Sequence, residues 1–169
     1  MEQVRALLGD QVRLCHSLFE EYEPDRKFAA VVAANVLEHV EAPVALLRRA
    51  RTWLQPGGAI HIVVPNGRSL HRRIGVHMGI LSNLREFSDR DMLLGHRRLY
   101  TQEELLGDVR AAGLSPIRVE GIFLKLLSNA QLSSWDVTLL RALFEIGREL
   151  PDYCAEIYVE CRPDHGAMC

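Results

Sequence analysis

A carboxylate and an imidazole stand side by side at Glu38 and His39, shortly after the carboxamide of Asn35. They follow an apolar run, residues 28–34, that reads as a buried strand, so the polar groups fall just past a strand's C-terminal end. Open parallel sheets bind their ligands at that end. His39 could act as a general base, or its ring could hold a loop. Asn35 could contact a ligand, or its side chain could bond to nearby backbone. A second group, His96, Arg97 and Tyr100, lies further along. Histidine titrates near neutrality, so His96 could take a proton from a hydroxyl acceptor; the alternative is a solvated surface loop. Arg68, His71, Arg72 and Arg73 form a basic run soon after Asn66. Such a run could meet an anionic acceptor or be a solvated helix face.

These residues need elements to hold them. Residues 28–36 form a continuous apolar run, which suits a strand buried on both faces of a parallel sheet. A helix follows over residues 43–54, with Pro43 in its first turn. Val44, Leu46, Leu47, Ala50, Trp53 and Leu54 make its apolar stripe, while Arg48, Arg49 and Arg51 are expected to face water. Pro56-Gly57-Gly58 stops it, and residues 59–65 are the next buried strand. That is strand, turn, helix, strand: a parallel crossover unit. Upstream, residues 2–8 read as the end of a helix and residues 11–16 as a short strand. Downstream, residues 67–100 look like a mobile insert with short helices. Thr101-Gln102-Glu103-Glu104 is a capping box that opens a helix ending at Gly113. A strand over 114–123, a polar connection over 129–135, a helix over 136–150 and a final strand over 153–161 complete the series. The stripe Val137, Leu140, Leu143, Phe144 and Gly147 gives that last helix its apolar face, and Trp53 and Trp135 are expected in the core. The last helix and strand return like a hairpin, so the sheet is expected to be mixed.

At 169 residues, 48% of them apolar, the chain is most simply one domain with a real core. We assign it to residues 1–162, with a flexible tail at 163–169. A formal net charge of −2 gives no basic excess, so nucleic acid is not an expected partner. Cys15, Cys154, Cys161 and Cys169 form no CxxC pair, and no histidines stand at i, i+4. No metal site is therefore expected from local spacing, and free thiols in a reducing cytoplasm are the simplest reading. No apolar run is long enough to span a membrane.

Two segments together, Asn35-Val36-Leu37-Glu38-His39-Val40 after one strand and Leu54-Gln55-Pro56-Gly57-Gly58 before the next, resemble the middle of a class I methyltransferase, the family that uses S-adenosylmethionine (SAM). Residues 95–101, Gly-His-Arg-Arg-Leu-Tyr-Thr, and the later Ala111-Ala112-Gly113-Leu114 resemble the same family, so the likeness runs over most of the chain. It implies a Rossmann-like α/β sheet, N-terminally truncated to the third to seventh strands of seven, with one antiparallel strand near the edge. It also implies SAM as cofactor and a small-molecule acceptor. Ala34, Asn35 and Val36 would lie by the methionine part of SAM, Ser17 near the adenine amino group, and Leu18 and Phe19 against the adenine ring. His96 and His39 become candidate catalytic groups, and Asn66, Arg97 and Tyr100 candidate acceptor contacts.

One departure from the family is large. Its glycine-rich turn after the first strand and the acid ending its second strand, which hold SAM through backbone N–H groups and the ribose hydroxyls, have no counterpart here. An internal start, a truncated gene or a domain fragment would each produce such a chain. Without the strands that flank it in the family, the strand at 28–36 becomes a bare edge, and bare edges pair or aggregate. Residues 11–16 could slide in beside it, another chain could pair with it as a homodimer or partner, or the protein could be unstable alone. A non-catalytic remnant acting as a partner or subunit is therefore the alternative to an enzyme. A nicotinamide-binding domain would need a G-x-G-x-x-G after a strand, which is absent.

Overall fold

The computed structural model describes residues 12–164. Four strands, β1 (Phe28–Ala34), β2 (Leu54–Pro65), β3 (Leu114–Ile122) and β4 (Glu156–Pro163), form one sheet in the order β1-β2-β4-β3. β1 and β2 are parallel, and β4 runs antiparallel to both of its neighbours. The expected mixed sheet with one antiparallel strand next to the edge is thus what the chain forms. The helices are α1 (Pro43–Thr52), α2 (Leu70–His77), α3 (Asp89–Leu93), α4 (Gln102–Ala111), α5 (Asn129–Leu132) and α6 (Val137–Gly147).

α1 is the crossover between β1 and β2. Pro43 starts it, and Leu46, Leu47 and Ala50 are its buried side. They meet Leu105 and Val109 of α4 and the inward residues Ile60, Ile62, Val64, Ile157 and Val159 of the two central strands in one apolar core. Burial of each such leucine or isoleucine contributes about 1.5–3 kcal/mol. The arginines of α1 do more than face water. Arg48 donates to the Ala111 carbonyl at 2.8 Å, Arg51 to that of Gly113 at 3.1 Å, and Arg49 to that of Tyr22 at 3.1 Å and to Glu23 at 2.8 Å. They clamp the end of α4 and the segment before β1 onto α1. The Thr101–Glu104 capping box opens α4 as its sequence requires.

Several expectations are corrected. Of residues 11–16, the described part, Val12 to His16, forms no strand, so the sheet among the described residues begins at β1. The expected helix at 2–8 and the end of the tail lie outside the described residues. β1 is not buried on both faces: it is the open edge, with Ala29, Ala30 and Ala34 exposed and Val32 67% exposed. Pro56-Gly57-Gly58 does not separate helix from strand but lies inside β2. Pairing with β1 jumps there from Phe28↔Leu54 to Ala30↔Ala59, and the extra residues bulge out at Gly57, whose φ of 79° suits glycine. The polar connection contains α5, and the last strand starts at Glu156 rather than Tyr153. In α6 only Leu143 and Gly147 are buried, while Val137 and Phe144 are exposed; Trp135 is half-buried, whereas Trp53 is in the core. Among the described residues no helix is long and apolar enough to cross a membrane.

Candidate functional site

β1 ends at Ala34, and the next residue turns the chain sharply. Asn35 has φ 52°, a left-handed conformation that asparagine tolerates better than most residues. Its N–H donates to the Val63 carbonyl at 2.9 Å, tying the turn to β2. Its carboxamide does not bond to nearby backbone; it is exposed and faces a cavity of about 550 Å³. The cavity lies over the C-terminal ends of β1 and β2, where Glu38, His39, Asp91, His96, Lys125 and Glu156 also line it.

Two loops build the core of this site. Residues 35–42 leave β1, and residues 94–98 leave α3. The second is shaped by a C-terminal cap: Gly95, at φ 73°, donates to the Met92 carbonyl, and His96 N–H donates to that of Asp91, each at 3.0 Å. That pairing is the Schellman ending, which calls for a left-handed residue where glycine stands. The loops are then stitched together. Arg97 N–H donates to the Glu38 carbonyl at 2.8 Å, and the Arg98 guanidinium donates to those of Leu37 and Glu41, both at 3.0 Å. Residues far apart in sequence converge as a result: the rings of His39 and His96 lie edge to face with centroids 4.9 Å apart.

Glu38 is 1% exposed, and neither carboxylate oxygen has a hydrogen-bond partner. Burial raises its pKa above the ordinary value, against the pull of its own backbone N–H and the two histidines. His39 Nε2 lies 3.8 Å from Glu38 Oε1, and His39 Nδ1 lies 3.4 Å from the Gly95 carbonyl oxygen. His96 Nδ1 is 3.1 Å from Asp91 Oδ1, though poorly aligned for a hydrogen bond. One ligand atom each from Glu38, His39 and His96 can be chosen so that all lie within 4.8 Å of one another.

Asp91 anchors the wall. Its Oδ2 accepts from Arg72 Nη1 at 3.0 Å, from Ser88 N–H at 2.9 Å and from Ser88 Oγ at 2.7 Å. Burial alone would raise its pKa, but the Ser88 and Arg72 hydrogen bonds hold it below the ordinary value. Arg72 also donates to the Glu86 carbonyl. His71 is pushed down to about 4 by burial and then by Lys125 and Arg72, so it is neutral at pH 7. Burial also raises Glu156 and lowers Lys125. A second, more apolar groove of about 720 Å³ opens from the same wall, lined by Met78, Ile80, Leu81, Leu126 and Leu127 and sharing His71, Arg72 and Lys125 with the first.

The other candidates fall as follows. Asn66 also lines the cavity, but its amide is fully engaged: it donates to the carbonyls of Pro151 and Cys154 and accepts from Arg68 N–H, pinning β2 to the loop before β4. The Tyr100 hydroxyl donates to Asp108 at 2.8 Å and faces a different recess beside Arg98 and Glu104. The Arg97 side chain is exposed, and only its backbone grips Glu38. Ala34 is exposed and Val36 half-buried beside Asn35. Ser17 bonds only to the Leu18 carbonyl, and Leu18 and Phe19 are 64% and 45% exposed, so no wall forms around them. Sequence reasoning did not single out Asp91 or Lys125. A visible signal for Asp91 was Ser88-x-x-Asp91, a capping-box spacing with Gly95 placed to end the helix.

A family model described as a methyltransferase domain matches residues 5–119. No curated protein matches the chain. Among solved structures, an S-adenosylmethionine-dependent methyltransferase from Mesorhizobium loti is 18% identical with TM-score 0.63, over 95% of this chain and 74% of that one. DhpI in complex with SAH is 17% identical with TM-score 0.55, over 97% of this chain and 61% of that one. The 1,6-didemethyltoxoflavin-N1-methyltransferase of Burkholderia thailandensis, solved with bound 1,6-didemethyltoxoflavin and S-adenosylhomocysteine, is 15% identical with TM-score 0.56, over 96% and 56%. The chain thus spans only 61% and 56% of the length of the last two.

Proposed function

We propose methyl transfer from SAM to a small-molecule acceptor as the function of this chain, which belongs to the methyltransferase domain family. The observation that carries the reading is the cavity over the C-terminal ends of β1 and β2, with a second groove opening from its wall. The first is of mixed polarity and edged by Asn35; the second is more apolar and walled in part by the insert. Their combined form suits an acceptor with an apolar body and a polar reacting end. That a similarly folded relative is solved with a small heterocycle and S-adenosylhomocysteine supports the same class of acceptor.

In this reading Asn35, flanked by Ala34 and Val36, meets the methionine part of SAM, and Ser17, Leu18 and Phe19 close over its adenine when it binds. The sulfonium supplies the electrophile, so the protein's main task is alignment. His96 and His39 stand beside the reacting end and could accept the acceptor's proton. Arg97 acts through its backbone grip on Glu38, and Asn66 and Tyr100 serve by holding the loop after β2, Asn66 through its carboxamide and Tyr100 through the carbonyl that accepts from Gly67 N–H. The test is transfer of isotope-labelled methyl from SAM to a panel of small hydroxylated aromatics. Label appearing in an organic-extractable product, and falling at least tenfold in His96→Asn, supports the reading. A folded chain that transfers none across the panel and binds no SAM refutes it.

A second reading concerns assembly. Among the described residues β1 is an open edge carrying exposed Ala29, Ala30, Val32 and Ala34, an apolar strand of the kind that adds to another strand. This supports pairing through residues 28–36 with a second copy or a partner chain, either beside catalysis or, in a non-catalytic subunit, in its place.

A further inference from the structure

We propose that Glu38, His39 and His96 form a binding site for a divalent transition-metal ion, of which Zn²⁺ is the best match. Two imidazoles and one carboxylate with an open position are a recurrent donor set for catalytic zinc. Three independent observations support it. Ligand atoms of the three side chains lie within 4.8 Å of one another. Glu38, 1% exposed, carries two buried carboxylate oxygens with no hydrogen-bond partner, a costly arrangement in a protein interior that a cation would relieve.

The third observation is that each histidine has, beside its Nδ1, an oxygen of the kind that orients metal-bound imidazoles. His39 Nδ1 is 3.4 Å from the Gly95 carbonyl oxygen, and His96 Nδ1 is 3.1 Å from Asp91 Oδ1. The Gly95 contact favours a proton on His39 Nδ1, which leaves that ring's Nε2 lone pair free; the Asp91 oxygen stands close to His96 Nδ1 without the alignment of a hydrogen bond. Metal–ligand bonds of about 2.0–2.2 Å put donor atoms roughly 3.3 Å apart in a tetrahedron. Closing the present spread to that value would call for a turn of the half-exposed His39 ring. The same Gly95 cap that turns the chain back toward β1 is therefore what completes the donor set, 57 residues after His39.

Glu38, His39 and His96 all line the cavity beside Asn35, so a fourth ligand would come from that cavity. If the methyl-transfer reading holds, on which this role rests, the ion selects an acceptor whose reacting group is a hydroxyl. Bound there, the hydroxyl would give its proton to water, the two imidazoles then serving as ligands in place of a base. Its oxygen then forms a bond to the methyl carbon of SAM, and the sulfur keeps the electron pair of the broken bond as a neutral thioether. The ion acts as a Lewis acid and is not consumed.

The test needs neither SAM nor acceptor. Chain stripped of metal with a chelator, and confirmed folded by circular dichroism, is titrated with Zn²⁺ against a chromophoric competitor. One ion per chain is expected. Glu38→Gln and His96→Asn should each weaken binding at least tenfold, and a folded Asp91→Asn, which removes the charge beside His96 together with the ion pair to Arg72, about tenfold. His77→Asn, on an exposed histidine at the end of α2, should leave it unchanged. Loading with Co²⁺ should give the visible absorption of a tetrahedral site in the wild type and lose it in a folded His39→Asn variant. Wild-type chain that binds no ion, or ligand variants that are folded and bind as tightly as His77→Asn, overturns the proposal. Because the readout is the ion itself, its failure leaves the methyl-transfer reading standing, and a failure of SAM to bind leaves the metal result standing.

Discussion

Asp91→Ala removes the centre of the cavity wall. The carboxylate pairs with Arg72, whose side chain is 8% exposed, and caps α3 through Ser88. With Asp91 gone, a guanidinium stays buried with the Glu86 carbonyl as its remaining hydrogen-bond partner among the described residues. Breaking a buried pair from one side costs about 3–5 kcal/mol, and losing the cap adds about 1 kcal/mol. Against a typical total of about 5–15 kcal/mol, that is a large share of the chain's stability. Urea unfolding followed by circular dichroism and by tryptophan fluorescence reads it directly.

Arg72→Met with Asp91→Ala takes away both charges and should recover more than half of the loss, leaving mainly the missing cap. The acid limb gives a second readout. Asp91 titrates below its ordinary value in the folded chain. Its contribution is therefore present above the unfolded aspartate range and lost as pH falls through the folded pKa, so the wild type should lose stability at acid pH more steeply than Asp91→Ala. A single variant that costs less than about 1 kcal/mol, or a double variant no better than the single, refutes the claim that an ion pair holds this wall.

Other predictions follow from single sites. His71 is neutral and held down to about 4 by burial, so its contribution is present above the unfolded value and lost as pH falls from about 6.5 through 4. His71→Phe should flatten the stability profile over that window, a difference on the order of 2–3 kcal/mol at its acid end. A Cβ on Gly121 would sit 2.3 Å from the Gly147 carbonyl oxygen and 2.5 Å from Cys154 Sγ, where β3 meets α6. Gly121→Ala should cost about 1–3 kcal/mol by overpacking and lower the melting temperature. Val32→Lys on the open edge of β1 should leave the thermal midpoint nearly unchanged while shifting any β1-mediated oligomer to monomer in light scattering.

Much of the frame was legible because local signals agreed with one another. Pro43, the α1 stripe, the Thr101 capping box and the Gly113 stop each name an element end, and each stands where the structure has it. β1 misled because a run of Ala and Val looks the same whether buried on both faces or left at an edge; only the neighbours decide, and residues 12–16 supply none. Pro56-Gly57-Gly58 misled because a bulge and a helix stop use the same residues. The site was half legible. Asn35, Glu38 and His39 announce themselves after a strand, and His96 was singled out on its own. Their convergence depends on the Gly95 cap and on Arg97 and Arg98 gripping the first loop, long-range contacts that no spacing rule contains.

Whether the end of β1 binds the methyl donor is decided by calorimetric titration of the purified, folded chain with SAM, repeated on Asn35→Leu. Saturable one-to-one binding in the micromolar to sub-millimolar range, about −5 to −8 kcal/mol, is expected, weakened at least fivefold by the substitution. No heat of binding to a folded chain at millimolar SAM, or equal binding by Asn35→Leu, would contradict it.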